Sequence, residues 1–441
     1  MTAQAIDAPA AVSDAAHRRD LTNAAILIIV GVLATTLSQP QVLARIPLTN
    51  MLKNELHVSR SSTSAFFFLM GLPWYCKPIA GIVTDAFPIF GSRRRSYLIA
   101  STLLATLSWV GLYFTPHQYN ALLLMCLLLS TFMVVASTVV GGYMVEIAQA
   151  SSASGRLSSI RNATSAALGI FSAPASGYLA SIAFGWTAGA CGAVMFLLLP
   201  ATFLLLREER RRIDSAQVLA NFGQQLNNIA SARTLWAAAG LTLLVFIAPG
   251  FGTALFYKQQ NELHMTTVAQ GFLGSIAGTC ALAAPFVYIW ACRRWNLRFM
   301  LWTCLAAGAA TTLGFMFYSS VFNARIIEGV NAFTGTLGEV ALMDLAVRAT
   351  PKGSEGLGFS LMVSVRNLAL FGTDLMGSLM LDKLHLPFND LVLANAGTTA
   401  IAAALVFVLP AALVSRKDSE ADIEQVETLG GYPEPKTQPQ P

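Results

Sequence analysis

The chain has 441 residues, of which 55% are hydrophobic and 12% charged, whereas an ordinary soluble protein carries about 25% charged residues. Its mean hydropathy of +0.58 puts it in the membrane class, with the lipid bilayer as a partner. The net charge of +5 does not call for nucleic acid, because a basic excess on a membrane protein is normally topological.

Residues 1–21 are Ala-rich, carry His17, Arg18 and Arg19, and lack the apolar core of a cleavable signal, so they read as a cytoplasmic tail. Apolar runs between turn and charge signals then predict spans at 22–46, 61–83, 97–115, 119–146, 156–183 and 186–206. A polar segment at 207–233, opening REERRR, reads as a cytoplasmic linker. Six more spans follow at 234–257, 267–291, 299–319, 325–348, 356–381 and 390–414. A crossing needs about 20 mostly apolar residues, and each run is close to that length or longer. The remainder, 415–441, is rich in Glu, Pro and Gln and reads as a disordered cytoplasmic tail. The expected units are therefore a six-helix bundle over 22–206 and a second over 234–414.

Basic residues set the orientation. With the first residue inside, the inner side receives Arg18, Arg19, Arg93, Arg94, Arg95, Arg156, Arg207, the run Arg210 to Arg212, Arg233, Arg293, Arg294, Arg298, Arg348, Lys352, Arg416 and Lys417. The outer loops and span ends receive Arg45, Lys53, Arg60, Lys258, Arg325 and Lys383. A multi-pass protein of the cytoplasmic (inner) membrane, both termini inside, is expected, read as a monomer. The six cysteines lie in or beside apolar segments, so they read as packing residues, with no disulfide framework, metal site or cofactor implied.

Ser159-Ile160-Arg161-Asn162 near the start of the fifth span is echoed by Ser364-Val365-Arg366-Asn367 in the eleventh, the offset that six-plus-six symmetry requires. An all-α integral membrane protein with 12 transmembrane helices in two pseudo-symmetric six-helix bundles resembles the major-facilitator fold, whose halves rock about a central site. That resemblance gives a role to the loop after the second span, where Gly81 and Asp85 precede Gly91, Arg93, Arg94 and Arg95. In major-facilitator proteins such an element latches the inner gate. Lys77, Glu146 and Arg161 join it as gating candidates; the plainer reading of the arginines is a topological anchor.

The longer string Pro73-Trp74, Lys77-Pro78, Gly81, Asp85, Pro88-Ile89, Gly91, Arg93 to Arg95 and Tyr97-Leu98 resembles the signature of the folate/biopterin transporter family. Leu52-Lys53-Asn54-Glu55-Leu56 and Pro351-Lys352-Gly353 with Glu355-Gly356, Phe359, Ser364 and Asn367 are similar to further motifs of that family. The resemblance implies secondary active transport of a folate, pterin or similar organic anion, with proton symport as an open element. It departs in the fourth span, where Ser137 and Gly141 stand in place of the family's two aspartates, ahead of Val145-Glu146. Muropeptide permeases share the arginine loop, so a transporter of an unrelated solute stays open, as does a non-transporting sensor on the same fold. An ATP-driven pump is disfavoured, since the chain has no phosphate-cradling G-x-x-x-x-G-K-S/T loop. An enzyme is not expected, because the five histidines are scattered over tails and loops.

Charge inside a bilayer costs roughly 2.5–3.5 kcal/mol per residue at mid-span, so each such group calls for a partner, a wet cavity or a function. Glu146, Arg161 and Asp344 lie near the inner surface. Glu339 and Arg366 sit level, about 14 Å deep at 1.5 Å per residue, and are expected to pair. Asp374 lies two turns further along the helix of Arg366 and is expected to have no cation. Proton coupling is assigned first to Glu339 alternating between a proton and Arg366, then to Asp374. In a major-facilitator fold the first, fourth, seventh and tenth spans line the cavity. The polar-ligand candidates there are Gln39, Arg45, Ser137, Thr138, Tyr143, Phe251, Tyr257, Lys258, Asn331 and Glu339.

Overall fold

The computed structural model describes the backbone of residues 8–92, 94–150, 154–206, 215–349 and 355–415. Among these residues no β-strand forms, and helices follow one another through both halves. The first span is helix Ala8–Leu37, and the second is broken into Arg60–Met70, Leu72–Tyr75 and Lys77–Ala86. Next come Arg95–Phe114, Tyr119–Ala150, Ser154–Leu179, and a sixth span made of Phe184–Phe196 and Leu198–Leu205. A linker helix, Ser215–Ser231, leads to a seventh span split into Arg233–Phe246 and Gly252–Asn261. Thr267–Cys292, Leu297–Thr312, Val321–Ala349, Glu355–Lys383 and Phe388–Leu405 complete the second half.

The third, fourth, sixth, eighth, ninth and twelfth spans are long and apolar enough to cross a bilayer on composition alone. The second and seventh are broken, and the fifth, tenth and eleventh carry charged and amide side chains along their length. Polar spans of this kind belong inside a bundle, since facing lipid would leave their charges unpaired.

Each half has its own core. One cluster of buried apolar side chains draws on residues 24–206, with Phe66, Phe67 and Trp109 at its centre. Another draws on residues 229–414, around Leu301, Leu345 and Val406. Between the halves, the fifth span packs on the eighth and the second on the eleventh. Lipid gives helices no hydrophobic reason to associate, so the fit must come from close approach. Gly177 and Gly271 supply it: a Cβ at Gly177 would lie 2.5 Å from the Thr267 carbonyl oxygen, and one at Gly271 would lie 2.7 Å from that of Ala173.

Two interruptions differ from the expected spans. The first helix ends at Leu37, not near 46; Ser38 to Ala44, which include Pro40, run as turns before the short helix Arg45–Asn50. The seventh span breaks around Pro249-Gly250 and resumes to Asn261, past the expected 257. The freed backbone groups are satisfied locally: Gly250 N–H donates to Thr373 O at 2.9 Å, and Asn395 Nδ2 donates to Pro249 O at 2.9 Å. Such satisfaction is what permits irregular backbone at membrane depth. The first and seventh spans are equivalents in a six-plus-six repeat, and paired breaks in equivalent helices mark the binding region in transporters built this way.

Candidate functional site

The first bundle encloses a cavity of about 170 Å³ between its first, second, fourth and fifth spans. Its polar lining comprises Thr35, Thr36, Gln39, Lys77, Ser137, Arg161 and Ser165, with Trp74 as the aromatic wall. The break at Cys76 sets the direction of Lys77, which opens the last piece of the second span with Pro78 just inside it. Its Nζ donates to Ser137 Oγ at 3.1 Å and lies 5.4 Å from the Trp74 ring centroid. Gln39 Nε2 donates back to Thr35 O at 2.8 Å, which holds the amide at the end of the first helix. Among the described residues the lining contains two cations and no carboxylate. That chemistry suits an anionic solute with a flat face to lay on an aromatic ring. Ser137 and Gly141, which stand where the resembled family has aspartates, both line it. Lys77 and Arg161, grouped with the gate in the sequence, belong to the same wall.

A second cavity of about 210 Å³ lies between the bundles, with Arg45 and Thr49 from the first half and Thr253, Phe256, Gln259, Gln270 and Glu328 from the second. The Arg45 guanidinium sits 3.8 Å over the Phe67 ring, 3.4 Å from Thr253 Oγ1 and 3.8 Å from Asp374 Oδ2. The expectation that Asp374 lacks a cation is therefore corrected. The turns after the first helix carry Arg45 across to it, a meeting that sequence distance hides. Asp374 also caps the resumed seventh helix: its Oδ1 accepts from Thr253 N at 2.9 Å, and its Oδ2 from Thr253 Oγ1 at 2.6 Å. A carboxylate there answers both the free N–H groups and the positive end of the helix dipole.

The end of the molecule away from the linker is tied across the two halves. Ser64 Oγ lies 3.3 Å from Asp374 Oδ2 and 2.6 Å from Ser378 Oγ. Arg60 Nε reaches Asp382 Oδ1 at 2.9 Å, and Ser61 N–H donates to the other oxygen at 2.8 Å. Lys53 Nζ donates to Gln260 Oε1 and Asn261 Oδ1, each at 2.7 Å. Tyr257, expected in the cavity, instead belongs to this closure, donating to Val58 O at 2.7 Å and meeting Thr63 Oγ1 at 2.9 Å.

Other expected ligand contacts point elsewhere. Thr138 turns its hydroxyl back to Val134 O at 2.7 Å, and its methyl group faces Gly81. Tyr143 is buried in the first core, and Phe251 packs edge-on to Phe315 and Phe388. Lys258 pairs with Glu262 one turn on, over the Phe388 ring, and Asn331 Nδ2 donates to Thr312 Oγ1 at 3.3 Å. Local helix geometry and neighbouring rings take these side chains before a cavity can.

Glu339 Oε1 lies 2.5 Å from Arg366 Nη2, joining the tenth and eleventh spans. In the loop after the second span, Phe90 and Gly91 have φ of 53° and 77°, the pair of positive values that a two-residue turn closed by Ile89 and Ser92 requires. Arg94 is buried against Gly142, and Arg95 lies over the Phe203 ring. The side chains of Asp85 and Glu146, and all of Arg93, lie outside the described residues. Glu328 was not foreseen. The expected start of the tenth span at 325 put it at the membrane edge, where a carboxylate is ordinary, whereas the helix begins at Val321 and Glu328 faces the cavity between the bundles.

Two six-helix bundles meeting along polar, broken spans define a membrane transporter of the major-facilitator fold. Solved structures agree. The crystal structure of a D-xylose-proton symporter superposes with a TM-score of 0.66 at 14% identity, covering 89% of this chain and 97% of that one. A POT family transporter in complex with 5-aminolevulinic acid gives 0.67 at 12% identity, over 87% and 95%. The nucleoside transporter NupG gives 0.63 at 13% identity, over 89% and 98%.

Within that class the chain belongs to the BT1 family, whose model matches residues 40–427. Its relatives include the folate-biopterin transporter of Synechocystis sp., 27% identical over 77% of this chain and 71% of that protein. The probable folate-biopterin transporter 2 of Arabidopsis thaliana is 26% identical over 80% of this chain and 75% of its own length. The protein is an integral, multi-pass membrane transporter of a small-molecule solute, and not an enzyme.

Proposed function

We propose that the protein moves a folate, pterin or similar organic anion across the cytoplasmic membrane by alternating access. The observation that carries this reading is the cavity in which Lys77 and Arg161 face inward beside Trp74. Anionic tails pair with the cations, a flat ring stacks on the indole, and the Gln39 amide and Ser137 hydroxyl orient polar edges. The names of the two long-matching relatives support the same solute class.

The linker end is cytoplasmic in this reading, because the basic loops gather there. The ties through Arg60, Asp374 and Asp382 then close the outer side, and the bundles at 22–206 and 234–414 rock apart when those ties break. Coupling to a proton gradient is part of the proposal. Glu339 and Asp374 each hold a cation in this state, so either would take a proton only by releasing it.

A thermal-shift screen of the purified protein against pterins, folates, nucleosides and muropeptides tests the solute class. A ligand at 100 times its Kd stabilises the folded state by about 2.7 kcal/mol. Folates or pterins should raise Tm, and Lys77→Ala should reduce the rise to about half or less at the same ligand concentration. Stabilisation by nucleosides or muropeptides alone would replace this reading.

A further inference from the structure

The intramembrane carboxylates of the described residues sort themselves by partner. Glu339 has Arg366, Asp374 has Arg45, Asp382 has Arg60, and Asp344 has Arg348 at 2.8 Å. Glu328 is different. Its Oε1 accepts from Tyr318 Oη at 2.9 Å and from Gln259 Nε2 at 3.1 Å, and both donors are neutral. Among the described residues, no cation lies within ion-pair distance of it.

Two hydrogen bonds orient Glu328 but supply no charge. Tyr318 is locked in turn by Gln259 Nε2 at 2.7 Å and by stacking on Phe315, and Gln270 Nε2 donates to Gln259 Oε1 at 3.0 Å. The network therefore fixes one oxygen of the carboxylate and leaves Oε2 without a hydrogen bond among the described residues, on a group that lines the cavity between the bundles. A partly buried anion without a cation is costly, and a bound proton removes that cost without disturbing either hydrogen bond to Oε1.

We propose that Glu328 is a proton-exchanging carboxylate of the transport cycle, taking and releasing its proton at Oε2 through the cavity between the bundles. The cavity makes this exchange dependent on the transport state. Its wall is shared: Glu328, Gln259, Gln270 and Thr253 belong to the second half, while Arg45 and Thr49 belong to the first. The described charged and titratable groups around Glu328 include Arg45 across the cavity, Asp374 behind Thr253, Tyr318 at its side, and Arg325 one turn earlier on the same helix. When the halves separate, Arg45 leaves with its bundle, while Tyr318 and Gln259 stay. The proton affinity of Glu328 therefore differs between the two states, and only a differential interaction of this kind can couple a proton to a conformational equilibrium. Glu328 needs no broken ion pair to do this, unlike Glu339 and Asp374. The inference rests on the reading of the protein as a proton-coupled carrier.

Two measurements test it together. In infrared difference spectra recorded across a pH titration of purified protein, a carboxylic-acid band should be present in the wild type, absent from Glu328→Gln, and retained but shifted in Glu328→Asp and Tyr318→Phe. In proteoliposomes, Glu328→Gln should keep folate exchange within about threefold of wild type and lose at least tenfold of its accumulation driven by an inward proton gradient. An unchanged carboxyl band in Glu328→Gln overturns the proposal, as does retained proton-driven accumulation. If the wild type exchanges no folate, the solute reading fails, and the infrared spectra still decide the role of Glu328. If Glu328→Gln does not fold, the Glu328→Asp and Tyr318→Phe spectra decide it: no change in the band from either substitution overturns the proposal.

Discussion

Neutralising Glu339 and Arg366, singly and together, should cost unequal amounts of stability, and the inequality follows from where each head group sits. Stranding one partner of a fully buried ion pair costs about 3–5 kcal/mol. This pair is partly wet: the arginine side chain is 21% exposed and the glutamate 40%. Glu339→Gln leaves the less exposed cation behind, its Nε without a partner among the described residues, with a 3.4 Å contact to Asn367 Oδ1 and the Phe246 ring 5.7 Å away in reserve. Its cost should be about 2 kcal/mol, discounted from the buried value for the water that reaches it. Arg366→Gln leaves a carboxylate that solvent already screens, and should cost about 1 kcal/mol. The double variant strands nothing and should also cost about 1 kcal/mol, giving a coupling near 2 kcal/mol. Equilibrium unfolding of the four proteins in mild detergent measures this. Additive losses would mean the pair contributes no coupling, and a larger loss for Arg366→Gln would refute the exposure argument.

Three other outcomes follow. Asp382→Asn removes the carboxylate that holds Arg60, so spin labels on the second and eleventh spans should show a larger population of long distances at the end opposite the linker; an unchanged distribution means the tie does not hold that end shut. Gly177→Val should destabilise or misfold the protein, because even its Cβ would meet Thr267 O, while Gly189→Ala, with open space around it, should leave unfolding within about 0.5 kcal/mol of wild type. Lys77→Ala removes a charge-assisted contact of about 1.5–3 kcal/mol, so affinity for an anionic solute should fall roughly ten- to hundredfold in a binding titration, with an uncharged analogue affected far less.

The twelve-span plan was legible because apolar runs end at charges and turn residues, and the bilayer fixes their length. The breaks were harder to read. Pro40 and Pro249-Gly250 are visible as letters, but periodicity does not say whether a proline kinks a helix or stops it, so the apolar run reads past the helix end at Leu37. Glu339 and Arg366 could be paired in advance because both depths count from the same membrane face. Arg45 and Asp374 could not: their meeting depends on the turns after Leu37 and on the approach of two separate bundles. Several residues expected to meet a solute point elsewhere for a shared reason. Thr138, Phe251, Lys258 and Asn331 follow from span number, and a span number does not fix which face of a helix a side chain occupies. Lys77 and Arg161, which stand out in the sequence by charge and read there as gating residues, both line the cavity of the first bundle.

The most direct test of the central claim is exchange of radiolabelled folate by proteoliposomes containing the wild type, Lys77→Ala or Arg161→Ala. The account predicts saturable exchange by the wild type, competed by unlabelled pterin, and at least a tenfold loss of apparent affinity in each variant with insertion and folding retained. Absence of folate exchange by folded wild-type protein, or unchanged affinity in both variants, would contradict it.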